Sequence, residues 1–157
     1  MNQIQAKIMA FVLICTLATG CKKDDNAVDT EYPTINSSAA TFPIQCSTVN
    51  RGEKFTFRAK FNDNVALGSY SLDIHHNFDH HSHSTEVSNC STDAIKTPVK
   101  PFLLIKTFPI PDGQTAYEAS TEILVPADID PGDYHFLIKV TDKEGWQTLK
   151  GISIKIK

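Results

Sequence analysis

Five of the chain's six histidines fall within nine positions, inside "DIHHNFDHHSHSTE", Asp73 to Glu86. They are His75, His76, His80, His81 and His83; the sixth is His135. Asn77, Phe78, Asp79 and Ser82 interrupt the run, so it is not an expression tag. Imidazole is neither a good core residue nor a good strand former, and packing does not explain such density. Metal binding is the use that needs several imidazoles close together. A merely solvated loop is the plain alternative. Asp73, Asp79 and Glu86 stand near enough in sequence to donate oxygen to an ion or to accept a hydrogen bond from the far nitrogen of a ligating ring.

The ends of the chain place this chemistry. Lys7 precedes "IMAFVLICTLA", an apolar run too short to span a bilayer and suited to a signal peptide. "LATGC" then resembles a lipobox, which would leave a diacylated Cys21 as the new N-terminus; Leu17 stands one place further from Cys21 than the usual pattern has it. A plain signal peptide cleaved nearby is the other reading. "KKDDN" after Cys21 resembles the surface-export tag of Bacteroidetes lipoproteins. The expected organisation is a signal peptide over 1–20, a lipidated cysteine and tether over 21–41 with a first short strand near Tyr32 to Ile35, and one folded domain over 42–157. Lys7 is the only charged residue among the first twenty, so cleavage takes the net charge from -3 to -4. Such a domain has no electrostatic footprint for nucleic acid. The expected attachment to a membrane is through acyl chains.

Composition then limits the metal. Both methionines, Met1 and Met9, lie in the signal segment, so the mature protein offers no thioether. Cys15 leaves with the signal, Cys21 takes lipid, and Cys46 and Cys90 remain. In an oxidising compartment the pair reads as a disulfide, with two thiolate ligands as the rival. Imidazole with optional carboxylate suits Zn(II) first, then Cu(II) or Ni(II).

The elements that must position these residues are strands. Apolar residues alternate with period two in "EKFTFRAKF", "SYSLDIHH", "DYHFLIKV" and "GISIKIK", and "NDN", "PDGQ", "DIDPGD" and "DKEG" punctuate them. About seven short strands predict an all-β, immunoglobulin-like antiparallel β-sandwich. "DIDPGDY" resembles a tyrosine corner at the head of strand F, "KVTDKEGWQTLKGISIKI" resembles strands F and G, and "FRAKFNDNVALGSYSLDI" resembles the B-to-C passage of bacterial Ig-like and cadherin-like modules.

Parity decides which histidines can cooperate. Tyr70, Leu72 and Ile74 face inward, so Asp73 and His75 face outward and His76 points to the core side or the rim. His135 lies between inward Tyr134 and Phe136 and also faces outward. In an Ig-type sandwich the end of strand C lies beside the start of strand F, which makes His75 and His135 cross-strand neighbours. The loop would then fold over them to add His81 or His83.

From about Tyr32 to Lys157 the chain resembles a family of Bacteroidetes lipoproteins of unknown function (DUF4625-like). "RGEKFTF", "LGSYSLDIHHNFDHHSHSTE" and "PGDYHFLIKVTD" carry the likeness. The resemblance implies an Ig-like fold and an outer-membrane setting, and no activity. No nucleophile motif and no HExxH is present, so the expectation is a binding protein and not an enzyme. The leading reading is an outer-membrane or cell-surface lipoprotein that captures, buffers or delivers a divalent metal, with an outer-membrane transporter as partner. The alternative is an Ig-like adhesion or glycan-binding module with no metal-dependent role.

Overall fold

The computed structural model describes residues 28–36, 41–83 and 90–157. The expected signal peptide, Cys21 and Glu86 lie outside them. Eight strands form two sheets: β1 (Thr34–Asn36), β2 (Ser47–Val49), β3 (Lys54–Asn62), β4 (Leu67–His76), β5 (Leu104–Pro109), β6 (Ala116–Leu124), β7 (Gly132–Asp142) and β8 (Gln147–Ile156). One sheet has the order β1-β3-β6 and the other β2-β8-β7-β4-β5. Among these pairs only β2 with β8 is parallel. Among the described residues no helix is long and apolar enough to cross a membrane. The all-β sandwich read from the period-two alternation is the fold of the protein.

The two inner faces meet where the alternation puts them. Phe57 and Phe61 of β3 and Tyr70, Leu72 and Ile74 of β4 are buried, as are Phe136, Ile138 and Val140 of β7. Phe57 stacks on Phe136 at 5.7 Å and on Tyr70 at 6.0 Å, joining the layers through aromatic faces. The Tyr70 hydroxyl lies 2.7 Å from Thr121 Oγ1 on the opposite sheet, so its polar tip has a partner.

The tyrosine corner is present. Tyr134, at the start of β7, donates its hydroxyl hydrogen to the Asp130 carbonyl at 2.6 Å and accepts from the Phe102 amide at 3.1 Å. Gly132, two residues earlier, has φ +133°, and a Cβ there would sit 3.0 Å from the Phe78 ring. Only glycine allows both the turn and that close approach.

The folded body starts earlier than the expected boundary at 42. β1 pairs with β3, Trp146 Nε1 donates to the Asp29 carbonyl at 2.9 Å, and Trp146 packs on Tyr32 at 4.9 Å. Residues 28–36 therefore belong to the sandwich and not to a tether. β1 stands where a first short strand was expected, near Tyr32 to Ile35.

Candidate metal centre

β4 and β7 are hydrogen-bonded neighbours, as expected of strands C and F, and His75 is the register partner of His135. His135 is in turn opposite Ser153 on β8. Both histidines project from the outer face of the sheet. His135 is nevertheless 0% exposed. The loop after β4 covers it, so an outward position on the strand is not a solvated one.

That loop is anchored by an aromatic. Phe78 is buried, lies edge-on to Tyr134 at 5.3 Å, and carries the Lys96 ammonium over its face at 4.3 Å. The Asn77 amide donates to the Asp133 carbonyl and the Lys96 amide to the Phe78 carbonyl. The chain is thereby turned back across the sheet, and His81 and His83 arrive over His75 and His135. A lone phenylalanine in an otherwise polar run was the available signal for this anchor, and sequence reasoning passed over it.

Four imidazoles converge. His75, His81, His83 and His135 each offer one nitrogen, and these four atoms lie within 4.8 Å of one another. All six ring pairs have centroids between 4.6 and 5.7 Å apart. His75 Nε2 and His83 Nε2 are 3.1 Å apart. Two nitrogens bound to one tetrahedral zinc at about 2.05 Å stand about 3.35 Å from each other, so this pair is already at a ligating separation.

Hydrogen bonds behind the rings set their orientation. His75 Nδ1 is 2.7 Å from Asp73 Oδ1, and His81 Nδ1 is 2.6 Å from Asp79 Oδ1. A carboxylate accepts, so each Nδ1 carries the hydrogen, and the neutral ring keeps its lone pair on Nε2. The His81 bond holds the Asp79 carboxyl below the usual carboxylate range. His135 Nε2 lies 3.1 Å from the His81 carbonyl and donates to it, which ties loop to strand. Asp73 and Asp79 thus hydrogen-bond to two of the four rings and are not in the group that converges.

Two expected ligands are elsewhere. His80 takes a left-handed backbone, φ 58°, and its Nε2 reaches the Asp93 carbonyl at 2.9 Å, away from the cluster. His76 is the last residue of β4 and is not in the converging group; its ring lies against Phe78 at 5.0 Å and edge-on to His81 at 6.5 Å. Cys46 and Cys90 are bonded to each other, which removes the thiolate reading and ties the chain beyond the loop to the start of β2. A cleft of about 510 Å³ runs between Cys46, Cys90, Asn77 and Lys155 and has His81, one of the four, in its wall.

No curated protein sequence matches the chain. Among solved structures it is similar to the sporulation control protein Spo0M from Bacillus subtilis, at 9% identity and a TM-score of 0.42, covering 81% of this chain and 50% of that one. It is also similar to a family 123 glycoside hydrolase from Clostridium perfringens, at 13% identity and a TM-score of 0.43, covering 80% of this chain and 27% of that one. The chain thus spans half of the first protein and about a quarter of the second. Residues 19–157 match the family described as a domain of unknown function, DUF4625, and the chain belongs to that family.

Proposed function

We propose that the protein binds a divalent transition metal through His75, His81, His83 and His135, with Zn(II) first and Cu(II) or Ni(II) next. The observation that carries this reading is the convergence of four ring nitrogens within 4.8 Å of one another. Two of those rings are oriented by carboxylates on their far nitrogens, the arrangement that fixes tautomer and raises basicity in histidine metal sites. Four protein ligands fill a tetrahedral shell, which favours holding an ion over activating a water on it. The role is binding and not catalysis.

Two ligands sit on paired strands and two on a loop, so the strands hold position while the loop closes or lifts. Such a site suits capture, buffering or delivery, for which an outer-membrane transporter is the natural recipient. The setting is an outer-membrane or cell-surface lipoprotein anchored at Cys21. The lipobox-like "LATGC" supports it, and Cys21→Ser should release the protein from the membrane fraction.

The deciding experiment is metal analysis of protein purified without a tag or nickel column, followed by Zn(II) titration of the stripped protein. A stoichiometric metal and tight titration are expected. A parent protein that neither carries nor binds Zn(II), Cu(II) or Ni(II) would end the proposal.

A further inference from the structure

A second group of ligand atoms lies at the other end of the sandwich. Asp29 precedes β1, Asp63 sits in the β3–β4 turn, and Asp142 is the last residue of β7. One carboxylate oxygen from each lies within 4.8 Å of the others. From His135 to Asp142 is seven residues along β7, roughly 23 Å at about 3.3 Å per residue. The two groups are independent, and this one rests on nothing proposed for the histidines.

The three carboxylates share one pattern. Asp29 Oδ1 accepts from the Glu31 amide at 3.0 Å and from Asn64 Nδ2 at 2.9 Å. Asp63 Oδ2 accepts from the Val65 and Ala66 amides at 3.0 and 2.7 Å. Asp142 Oδ1 accepts from the Gly145 and Trp146 amides at 2.6 and 2.8 Å. Each group is therefore locked by one oxygen. The other oxygen of each, Asp29 Oδ2, Asp63 Oδ1 and Asp142 Oδ2, is buried without a hydrogen-bond partner. Asp29 is only 6% exposed and Asp142 only 4%.

Three buried anionic oxygens with no donor facing them repel one another and have lost their water. Among the described residues no ion pair reaches any of them. A bound cation removes both penalties at once. Neither nitrogen nor sulfur belongs to the group, so the site suits a hard ion. Calcium accepts carboxylates, carbonyls and water in a flexible shell, whereas magnesium demands a near-ideal octahedron and usually keeps several waters, so three carboxylates fixed by their own turns suit calcium better. We propose that Asp29, Asp63 and Asp142 bind a calcium ion that clips the segment before β1 to the β3–β4 turn and the end of β7, with backbone carbonyls or water completing its shell.

Trp146 supplies the readout. It is the chain's single tryptophan, its amide donates to Asp142, and its indole donates to the Asp29 carbonyl. Terbium(III) added to the chelator-stripped protein should therefore emit on tryptophan excitation, and calcium should displace it while magnesium does so poorly. Calcium should also raise the melting temperature. Asp63→Asn and Asp142→Asn each keep an oxygen for the backbone amides and replace the orphan oxygen, so both should fold without calcium at least as stably as the parent. Both should lose the sensitised emission and the calcium response, while His75→Ala keeps them. A stripped parent protein with neither emission nor a calcium-dependent melting shift would overturn the proposal, as would Asn variants that respond to calcium as the parent does.

Discussion

His75 and His135 face each other across β4 and β7 as register partners, with ring centroids 5.2 Å apart, although sixty residues separate them in the chain. Because both are on strands, an ion between them ties the central strands of the larger sheet together as well as the loop above. His135→Ala should therefore lower Zn(II) affinity and shrink the metal-induced rise in melting temperature. Saturation at 100 times the dissociation constant adds about 2.7 kcal/mol to the parent. The variant should also lose about 1–3 kcal/mol without metal, since the His81 carbonyl loses a buried donor. His80→Ala should bind as the parent does. Calorimetric titration and thermal melts with and without Zn(II) check both; equal loss in the two variants would show that the ring count, not the geometry, decides.

Asp73 and Asp79 each bond to Nδ1 of a ring in the cluster. Asp73→Asn and Asp79→Asn should each weaken Zn(II) by about 10- to 100-fold while leaving its stoichiometry intact. A change in the number of ions bound would instead make the carboxylates direct ligands.

Protons compete with the metal for imidazole, whose ordinary pKa is about 6.5. Affinity should fall steeply between about pH 7 and about pH 5, because several rings must be neutral together. Titrations across that range are the check, and a flat profile would mean that oxygen ligands dominate.

The Cys46–Cys90 bond closes a loop of 44 residues in sequence separation, worth about 4 kcal/mol in the chain-entropy account. Cys46→Ser with Cys90→Ser should lose a similar amount in urea unfolding. Phe78 still anchors the histidine loop in that variant, so Zn(II) binding should survive when the domain is folded.

Acid should unfold the domain in part through carboxylates outside both sites. The Asp93 carboxyl is lowered first by its hydrogen bond from Lys155, and that of Asp130 by the Val99 and Lys100 amides. A lowered folded-state value means stability that is present above the ordinary carboxylate range and lost as pH falls through the folded value. Stability of the metal-free protein should thus hold above about pH 4 and decline below it. Asp130→Asn should flatten that decline, as followed by urea midpoints against pH.

Much of this was legible because a strand has only two faces. Once Tyr70, Leu72 and Ile74 point inward, Asp73 and His75 share the outer face, and Tyr134 and Phe136 fix His135 in the same way. The β4–β7 pairing followed from the tyrosine at the head of β7. Parity has no hold on a loop, so the left-handed turn at His80 that carries its ring to Asp93 was not foreseen. The three aspartates were missed for a related reason: "NDN" and "DKEG" read as turns, and nothing local in the sequence says that two turns and the segment before β1 close on one point.

The position of Asp29 has one more consequence. Asp29 lies at the end of the domain carrying Asp63 and Asp142, and the imidazoles are displayed toward the other end of β7. A lipid on Cys21 would tether the domain from that end. The eight Cα steps from Cys21 to Asp29 span at most about 29 Å, and the stretch of β7 from Asp142 to His135 adds roughly 23 Å. The metal would then be presented about 50 Å from the headgroups at the furthest, facing the aqueous phase. A recipient resting flat on the membrane would meet it only if the domain tilts or if the recipient itself rises to that height.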